Sequence, residues 1–224
     1  MIVDVISDLH GIYPKLEGGD LLIVAGDLTA RDEVYEYTNE FLIWLIDLQM
    51  TKYKKVVWIG GNHDNWVQKN ISEEIQLSGG QYLCDSGTEF NGFKIWGSPW
   101  SSQFPGINPK CCAFTRPFCV PLKDRWDLIP DNVDILITHS PPFGILDKVE
   151  RDYGASVGDM DLRDTLEKRI KPRLHVFGHI HENGGQQIVF KRPGLGTENN
   201  TICVNASYVN ELYQPTHKPV RIIL

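Results

Sequence analysis

The chain has 224 residues, 42% of them hydrophobic and 23% charged. A chain of this length buries most of its apolar surface without disulfide or metal staples, and 20 glycines and 13 prolines are close to average usage, which excludes a disordered or fibrous protein. The balance of 22 basic against 29 acidic residues, net −7, disfavours non-specific binding to nucleic acid or an anionic membrane, and leaves room for a local site whose positive charge comes from metal.

In chain order, short apolar runs alternate with polar turns. Ile2 to Ile6 runs into Ser7-Asp8-Leu9-His10-Gly11, and Leu21 to Ala25 runs into Gly26-Asp27. Residues 33–50 carry Val34, Tyr37, Phe41, Leu45 and Leu48 at steps of three or four, the stripe of an amphipathic helix. Val56 to Ile59 leads into Gly60-Gly61-Asn62-His63-Asp64, and Ser72 is placed to cap a short helix that stops at Gly79-Gly80. From Trp96 to Pro130 there is no period. Six prolines, three cysteines and three tryptophans predict a long ordered loop there. Ile135 to Ile137 ends in Thr138-His139. Asp161 is expected to cap a helix with Leu162, Leu166 and Ile170 on one face and Pro172 beyond its end. Leu174 to Phe177 ends in Gly178-His179-Ile180-His181, and the chain from His175 onward reads as strand-rich. Four- or five-residue aliphatic runs bounded by turn residues predict buried strands, and a ligand site is expected at their C-terminal ends.

Five cysteines, at 84, 111, 112, 119 and 203, are odd in number and show no repeated C-x-x-C spacing, so a reducing compartment and a cytoplasmic location are expected. The start of the chain has acids at Asp4 and Asp8 rather than a basic region before a long apolar core, so no signal peptide is expected. Phe41 to Leu48 is too short to span a bilayer, and no membrane partner is expected.

The polar clusters carry the chemistry. Carboxylate oxygens and imidazole nitrogens suit hard-to-borderline divalent metals. Asp8-x-His10 and His179-x-His181 are D-x-H and H-x-H pairs, each expected to share one face because a strand alternates with period two. With Asp27, Asn62 and His139 they supply enough ligands for two metals, one carboxylate bridging, and two metals about 3.5–4 Å apart form a clamp for in-line displacement at phosphorus. Glycines beside Asp27, Asn62 and His179 permit tight turns and close backbone approach.

This ordered set resembles the calcineurin-like metallophosphoesterase superfamily. Within it, Gly92-Phe93-Lys94-Ile95-Trp96-Gly97-Ser98-Pro99-Trp100, Lys123-Asp124-Arg125-Trp126, Thr138-His139-Ser140-Pro141-Pro142, Pro172 to Gly178 and Asn205-Ala206-Ser207 are similar to segments of the metallophosphoesterase-domain-containing family and its microbial relatives. The resemblance implies an α/β fold, a four-layer α/β/β/α sandwich of two mixed sheets flanked by helices, as one domain over 1–224 with a loop insertion at about 98–130. It implies one metal on Asp8, His10, Asp27 and His181 and a second on Asp27, Asn62, His139 and His179, with Asp27 bridging. It makes His63 the group that protonates the leaving oxygen, and Asp64 the residue that hydrogen-bonds His63 and fixes its tautomer. His179 is present where one animal branch has glycine; Ser140 stands where the family often has glycine.

The expected function is that of a dinuclear-metal phosphoesterase. The leading reading is a phosphodiesterase for small diesters such as cyclic nucleotides, with a metal-bridging hydroxide as nucleophile. Manganese is the first choice of metal, with iron, zinc, nickel or magnesium as alternatives. Competing readings are a phosphomonoesterase or phosphoprotein phosphatase on the same site, a nuclease, which the acidic balance disfavours, and a weakly active scaffold protein. The expected partner is a small phosphate ester, a nucleotide among the candidates, with no strong nucleic-acid binding. His175 is expected to be a hydrogen-bonded core residue and His217 a solvated one. Cys111, Cys112 and Cys119 lack a fourth partner for structural zinc. Trp66 and Trp100 are read as packing residues before base-stacking ones.

Overall fold

The computed structural model describes residues 1–29, 35–70, 80–104, 106, 109–150, 153–192, 194 and 196–224. The helix expected after Ser72 falls on 71–79 and lies outside them.

Five strands form one sheet in the order β15 (Val220–Ile223), β1 (Ile2–Ile6), β2 (Gly19–Ala25), β3 (Tyr53–Ile59) and β4 (Gln81–Tyr82). Strands β1 to β4 are parallel and β15 runs antiparallel on β1. Six more form a second sheet in the order β13 (Gln186–Phe190), β14 (Thr201–Asn205), β12 (Leu174–Phe177), β9 (Ile135–Thr138), β6 (Phe93–Ser98) and β5 (Ser86–Phe90). Its four central strands are parallel and both edge strands antiparallel, so each sheet is mixed.

Side-chain alternation sorts the layers. On β2, Leu21, Ile23 and Ala25 face the second sheet and pack with Val57, Ile59, Ile95, Ile135, Ile137, Leu174 and Val176 in the central core. Leu22 and Val24 point the other way, onto Phe41, Leu45 and Leu48 of helix α1 (Tyr35–Thr51). Of the helical stripe expected over 33–50, Val34 and the Tyr37 side chain lie outside the described residues; the rest is buried as expected. On the outer face of the second sheet, Leu136, Phe177 and Cys203 pack against Leu162, Leu166 and Ile170. Each fully buried aliphatic or aromatic side chain of this kind contributes roughly 1.5–3 kcal/mol. The result is helix, sheet, sheet, helix.

Two local expectations change. The helix bearing Leu162 and Leu166 spans Met160–Lys168, and its cap is Asp159 rather than Asp161: the Asp159 carboxylate accepts from Leu162 N at 2.7 Å and from Trp126 Nε1 at 2.8 Å. Both aspartates satisfy the capping pattern, and the buried Trp126 selects the one it can reach. The stretch without a period contains the pair β7 (Ser101–Gln103) and β8 (Thr115–Pro117) and a helical turn over Lys123–Trp126. Among the described residues no helix is long and apolar enough to cross a membrane.

Candidate metal centre

Asp8 and His10 follow β1, Asp27 follows β2, and Asn62 and His63 follow β3. His139 follows β9, and His179 and His181 follow β12. All leave the C-terminal ends of parallel strands, three in the first sheet and two in the second, where an open α/β sheet collects its ligand site. The seven expected ligands converge. Ligand atoms of Asp8, His10 and His181 lie within 4.8 Å of one another, as do those of Asp27, His139 and His179 and those of His10, Asp27 and His63.

The two-residue period of a strand is not what brings Asp8 and His10 together. Both lie past the end of β1, with φ of 53° and 44°. Asp27 (52°) and His179 (69°) are likewise left-handed, so four of the seven expected ligands adopt a conformation uncommon for residues other than glycine. Such strain persists where surrounding structure fixes it and concentrates at functional sites. Here the turns hold one another. Asp8 N donates to Gly26 O at 2.9 Å and His10 N to Asp27 O at 3.0 Å. His179 N donates to the Asp8 carboxylate at 3.0 Å and His63 N to Asp27 Oδ1 at 2.8 Å. Gly178 and Gly61 are required by close approach: a Cβ would run into the Asp8 carboxylate at the first and the Asp27 carboxylate at the second.

Four of the expected imidazole ligands, His10, His139, His179 and His181, present a nitrogen to the cluster. His139 Nδ1 donates to Ala25 O at 2.9 Å and His181 Nδ1 to Asn210 O at 3.1 Å, which fixes both tautomers and leaves each Nε2 lone pair facing inward. His139 Nε2 lies 3.4 Å from Asp27 Oδ2 and 3.0 Å from Asn62 Oδ1; His181 Nε2 lies 3.2 Å from Asp8 Oδ1. His10 Nε2 is buried, 3.8 Å from Asp27 Oδ2, and has no hydrogen-bond partner among the described residues. A buried nitrogen without a partner, beside two carboxylates and carbonyl-oriented imidazoles, is the donor set a pair of divalent cations requires. Without cations the charges pull against burial. Burial raises the Asp8 carboxyl, but the hydrogen bond and charge of His181 outweigh it and hold the group below its ordinary value. Burial lowers His139, yet Asp27 brings it up to about 9. Burial takes His10 down to about 4 and His179 to about 3.

His63 is half-buried, with Nε2 4.0 Å from Asp27 Oδ2 and Nδ1 3.4 Å from Cys111 Sγ. Asp64 is not the partner of its ring. The two Asp64 oxygens accept from Gly61 N at 2.7 Å and Leu28 N at 3.0 Å, and the carboxylate is 1% exposed, turned into the protein between the loops after β2 and β3. Burial, with Asp27 close by, pushes its pKa up to about 7.

Other expectations resolve as follows. His175 is buried and bonded to Thr138 Oγ1 at 2.9 Å, a core residue. His217 is not simply solvated: its Nε2 donates to His181 O at 3.0 Å. Among the described residues no disulfide links any of the five cysteines. Trp100 packs against Phe114, donates to Asp85 at 2.8 Å and lies under Arg125, while Trp66 packs against the core around α1.

Sequence reasoning missed most of what Ser207 to His217 does. Ser207 Oγ donates to Asp8 Oδ2 at 2.8 Å, Asn210 O orients His181, and the Tyr213 ring lies 4.8 Å from His10 and 5.6 Å from His181, centroid to centroid. Asn205-Ala206-Ser207 entered only through its resemblance to other chains; no spacing pointed to Tyr213. Above the cluster opens a cavity of about 200 Å³, with Asp27, Asn62, His63, His179 and His181 in its lining.

Comparison with known proteins matches the calcineurin-like phosphoesterase family model to residues 1–183. Human metallophosphoesterase domain-containing protein 1 is 36% identical over 98% of this chain and 69% of its own length. A UPF0046 protein of Caenorhabditis elegans is 30% identical over 98% of this chain and 78% of its own. A shorter match, 35% identical over 31% of this chain and 22% of the other, is to the acyl-carrier-protein phosphodiesterase PptH of Mycobacterium tuberculosis. One solved crystal structure aligns at a TM-score of 0.58 with 16% identity, over 99% of this chain and 98% of that one, a likeness of fold.

Proposed function

This chain belongs to the calcineurin-like phosphoesterase family, and from that premise we propose that it is a phosphodiesterase acting on small phosphodiesters such as cyclic nucleotides. The observation that carries the reading is the division of the ligand atoms into two groups, Asp8–His10–His181 and Asp27–His139–His179, joined through the approach of His10 to Asp27. Asp8, His10, Asp27 and His181 would hold one cation, and Asp27, Asn62, His139 and His179 a second, manganese being the first choice. Cations bound there supply Lewis acidity and offset charge that develops on the phosphate.

The chain's own groups do the rest. Asp27 sits between the two sets of imidazoles. Asn62 brings a neutral oxygen beside His139. His63 lies in the cavity lining with its backbone N–H tied to Asp27, so its ring is held beside the cluster while its Nε2 can deliver a proton to a departing alkoxide. Departure of an alkoxide is costly for a phosphate ester of an ordinary alcohol, and a positioned acid assists it. The mycobacterial relative bears the name of a phosphodiesterase. A cytoplasmic setting is part of the same reading, supported by an odd number of cysteines with no disulfide among the described residues.

The test is hydrolysis of bis-p-nitrophenyl phosphate, p-nitrophenyl phosphate and 2′,3′- and 3′,5′-cyclic nucleotides, each with manganese, magnesium, nickel and zinc. The diesters are expected to be preferred. Turnover of the monoester alone would make the protein a phosphomonoesterase, and hydrolysis of nothing by the metal-loaded protein would return the scaffold reading.

A further inference from the structure

The cavity extends past the metal cluster onto a wall that is partly apolar. Phe104, Val149, Val157, Ile180 and Tyr213 line it together with the metal-site residues. A concave site with an apolar wall and a few convergent polar groups takes the organic part of a ligand on that wall. Among these residues Tyr213 is singular. It reaches the cluster from the segment after β14, beyond the 1–183 stretch that the family model matches. Its ring meets His10, His63 and His181 edge to face, at 4.8, 6.3 and 5.6 Å, yet the residue remains 43% exposed.

The chain invests backbone conformation in keeping it there. Tyr213 has φ of 59°, in the left-handed region. Asn210 enforces that turn: its Oδ1 accepts from Leu212 N at 3.0 Å and Gln214 N at 2.9 Å, its N donates to Gln214 O at 2.9 Å, and its O accepts from Tyr213 N at 2.9 Å. The same Asn210 carbonyl orients His181. One residue therefore sets both an imidazole of the cluster and the ring beside it. A large aromatic fixed in this way and left open toward a cavity is a surface for a flat group, since every nucleobase or aryl ring presents a π-face that stacks without regard to its edge pattern.

We propose that Tyr213 is a substrate-binding residue that stacks on a planar aromatic substituent, a nucleobase or an aryl group, of a ligand whose phosphate lies over the metal cluster. The proposal rests on the site reading above, and it deepens it from small phosphodiesters in general to those that carry a ring close to phosphorus.

The test separates binding from turnover. Adenosine 5′-monophosphate and ribose 5-phosphate share a phosphate and a sugar and differ in the base. Each is titrated calorimetrically into the manganese-loaded protein, wild type, Tyr213→Ala and Tyr213→Phe. The wild type is expected to bind the nucleotide about tenfold more tightly than the sugar phosphate, in the range base–aromatic stacking supplies. Tyr213→Ala should lose that preference while its affinity for ribose 5-phosphate stays within about twofold, and Tyr213→Phe should keep it. Equal affinity for the two ligands in the wild type, an equal loss for both in Tyr213→Ala, or loss of the preference in Tyr213→Phe overturns the proposal. Hydrolysis of bis-p-nitrophenyl phosphate by the same preparation reports on the phosphodiesterase reading alone. Its absence sinks that reading, while the titrations still decide this one.

Discussion

The carboxylate of Asp27 lies 3.4 Å from Nε2 of His139, and the opposite nitrogen of that ring donates to Ala25 O two residues upstream of Asp27. The last residue of β2 therefore supplies the carbonyl that aims the imidazole, and the turn after it the carboxylate. Asp27→Asn keeps the shape and removes the charge between the two sets of ligands. Metal content after manganese loading and dialysis should fall from two per chain to less than one. Retention of two manganese ions at wild-type affinity would show that Asp27 does not bridge.

His63 stands beside the cluster, its backbone fastened to Asp27 and its ring in the cavity lining. His63→Ala should keep its metal and lose roughly 10²–10⁴-fold in the hydrolysis of a diester with an alkyl leaving group. Metal content and kcat, measured on one preparation, decide the matter; loss of metal in parallel with activity would make His63 a ligand.

Asp64 ties two loops together through backbone N–H groups that are otherwise buried. Asp64→Ala leaves both donors without an acceptor and should cost about 2 kcal/mol or more in urea unfolding. Were Asp64 an orienter of His63 alone, the variant would show wild-type stability and the kinetic defect of His63→Ala.

Ser207 lies outside the expected ligand set but holds the Asp8 carboxylate. Residues that hydrogen-bond a ligand change metal affinity by about 10–100-fold when removed. Ser207→Ala should weaken manganese binding by about tenfold in a calorimetric titration, and an unchanged isotherm would remove Ser207 from the site.

The acid limb of stability has a contributor away from the metal. The Thr138 hydroxyl donates to Ser140 O at 2.7 Å, so His175 Nε2–H is the donor in the 2.9 Å contact between them. Among the described residues His175 Nδ1 is buried with no hydrogen-bond partner, and burial takes the pKa down to about 3. Above pH 6.5 the ring is neutral folded or unfolded. As pH falls from 6.5 toward 3 the unfolded chain binds a proton that the folded one refuses, so stability is lost at about 1.4 kcal/mol per pH unit. His175→Phe should flatten the pH dependence of the urea midpoint between pH 6.5 and 5 relative to wild type. Parallel curves would assign the limb to other groups.

The convergence of the seven expected ligands was legible because each lies in the polar turn after an aliphatic run, and strand ends are visible in one sequence. The helix over 160–168 was legible in its buried face and not in its cap, because Asp159 and Asp161 are equivalent until Trp126 is placed beside one of them. The contributions of Asn210 and Tyr213 had no local signature. They arise when β14 runs parallel to β12 and delivers the following loop over the site, a matter of sheet order. For Asp64 the expectation came from the resemblance alone, and the turn directs its carboxylate onto Gly61 N and Leu28 N instead.

The cluster draws Asp8, His10, Asp27 and Asn62 from the rim of one sheet and His139, His179 and His181 from the rim of the other. A cation shared across that line would add a rivet to the hydrogen bonds that already join the two rims, such as Ser7 N to Ala206 O and Ser207 Oγ to Asp8. Chelation should then loosen one end of the sandwich before the other. Hydrogen exchange would speed first at the turns that bear the ligands, and melting temperature would track metal concentration as it does for a ligand that binds only the folded chain.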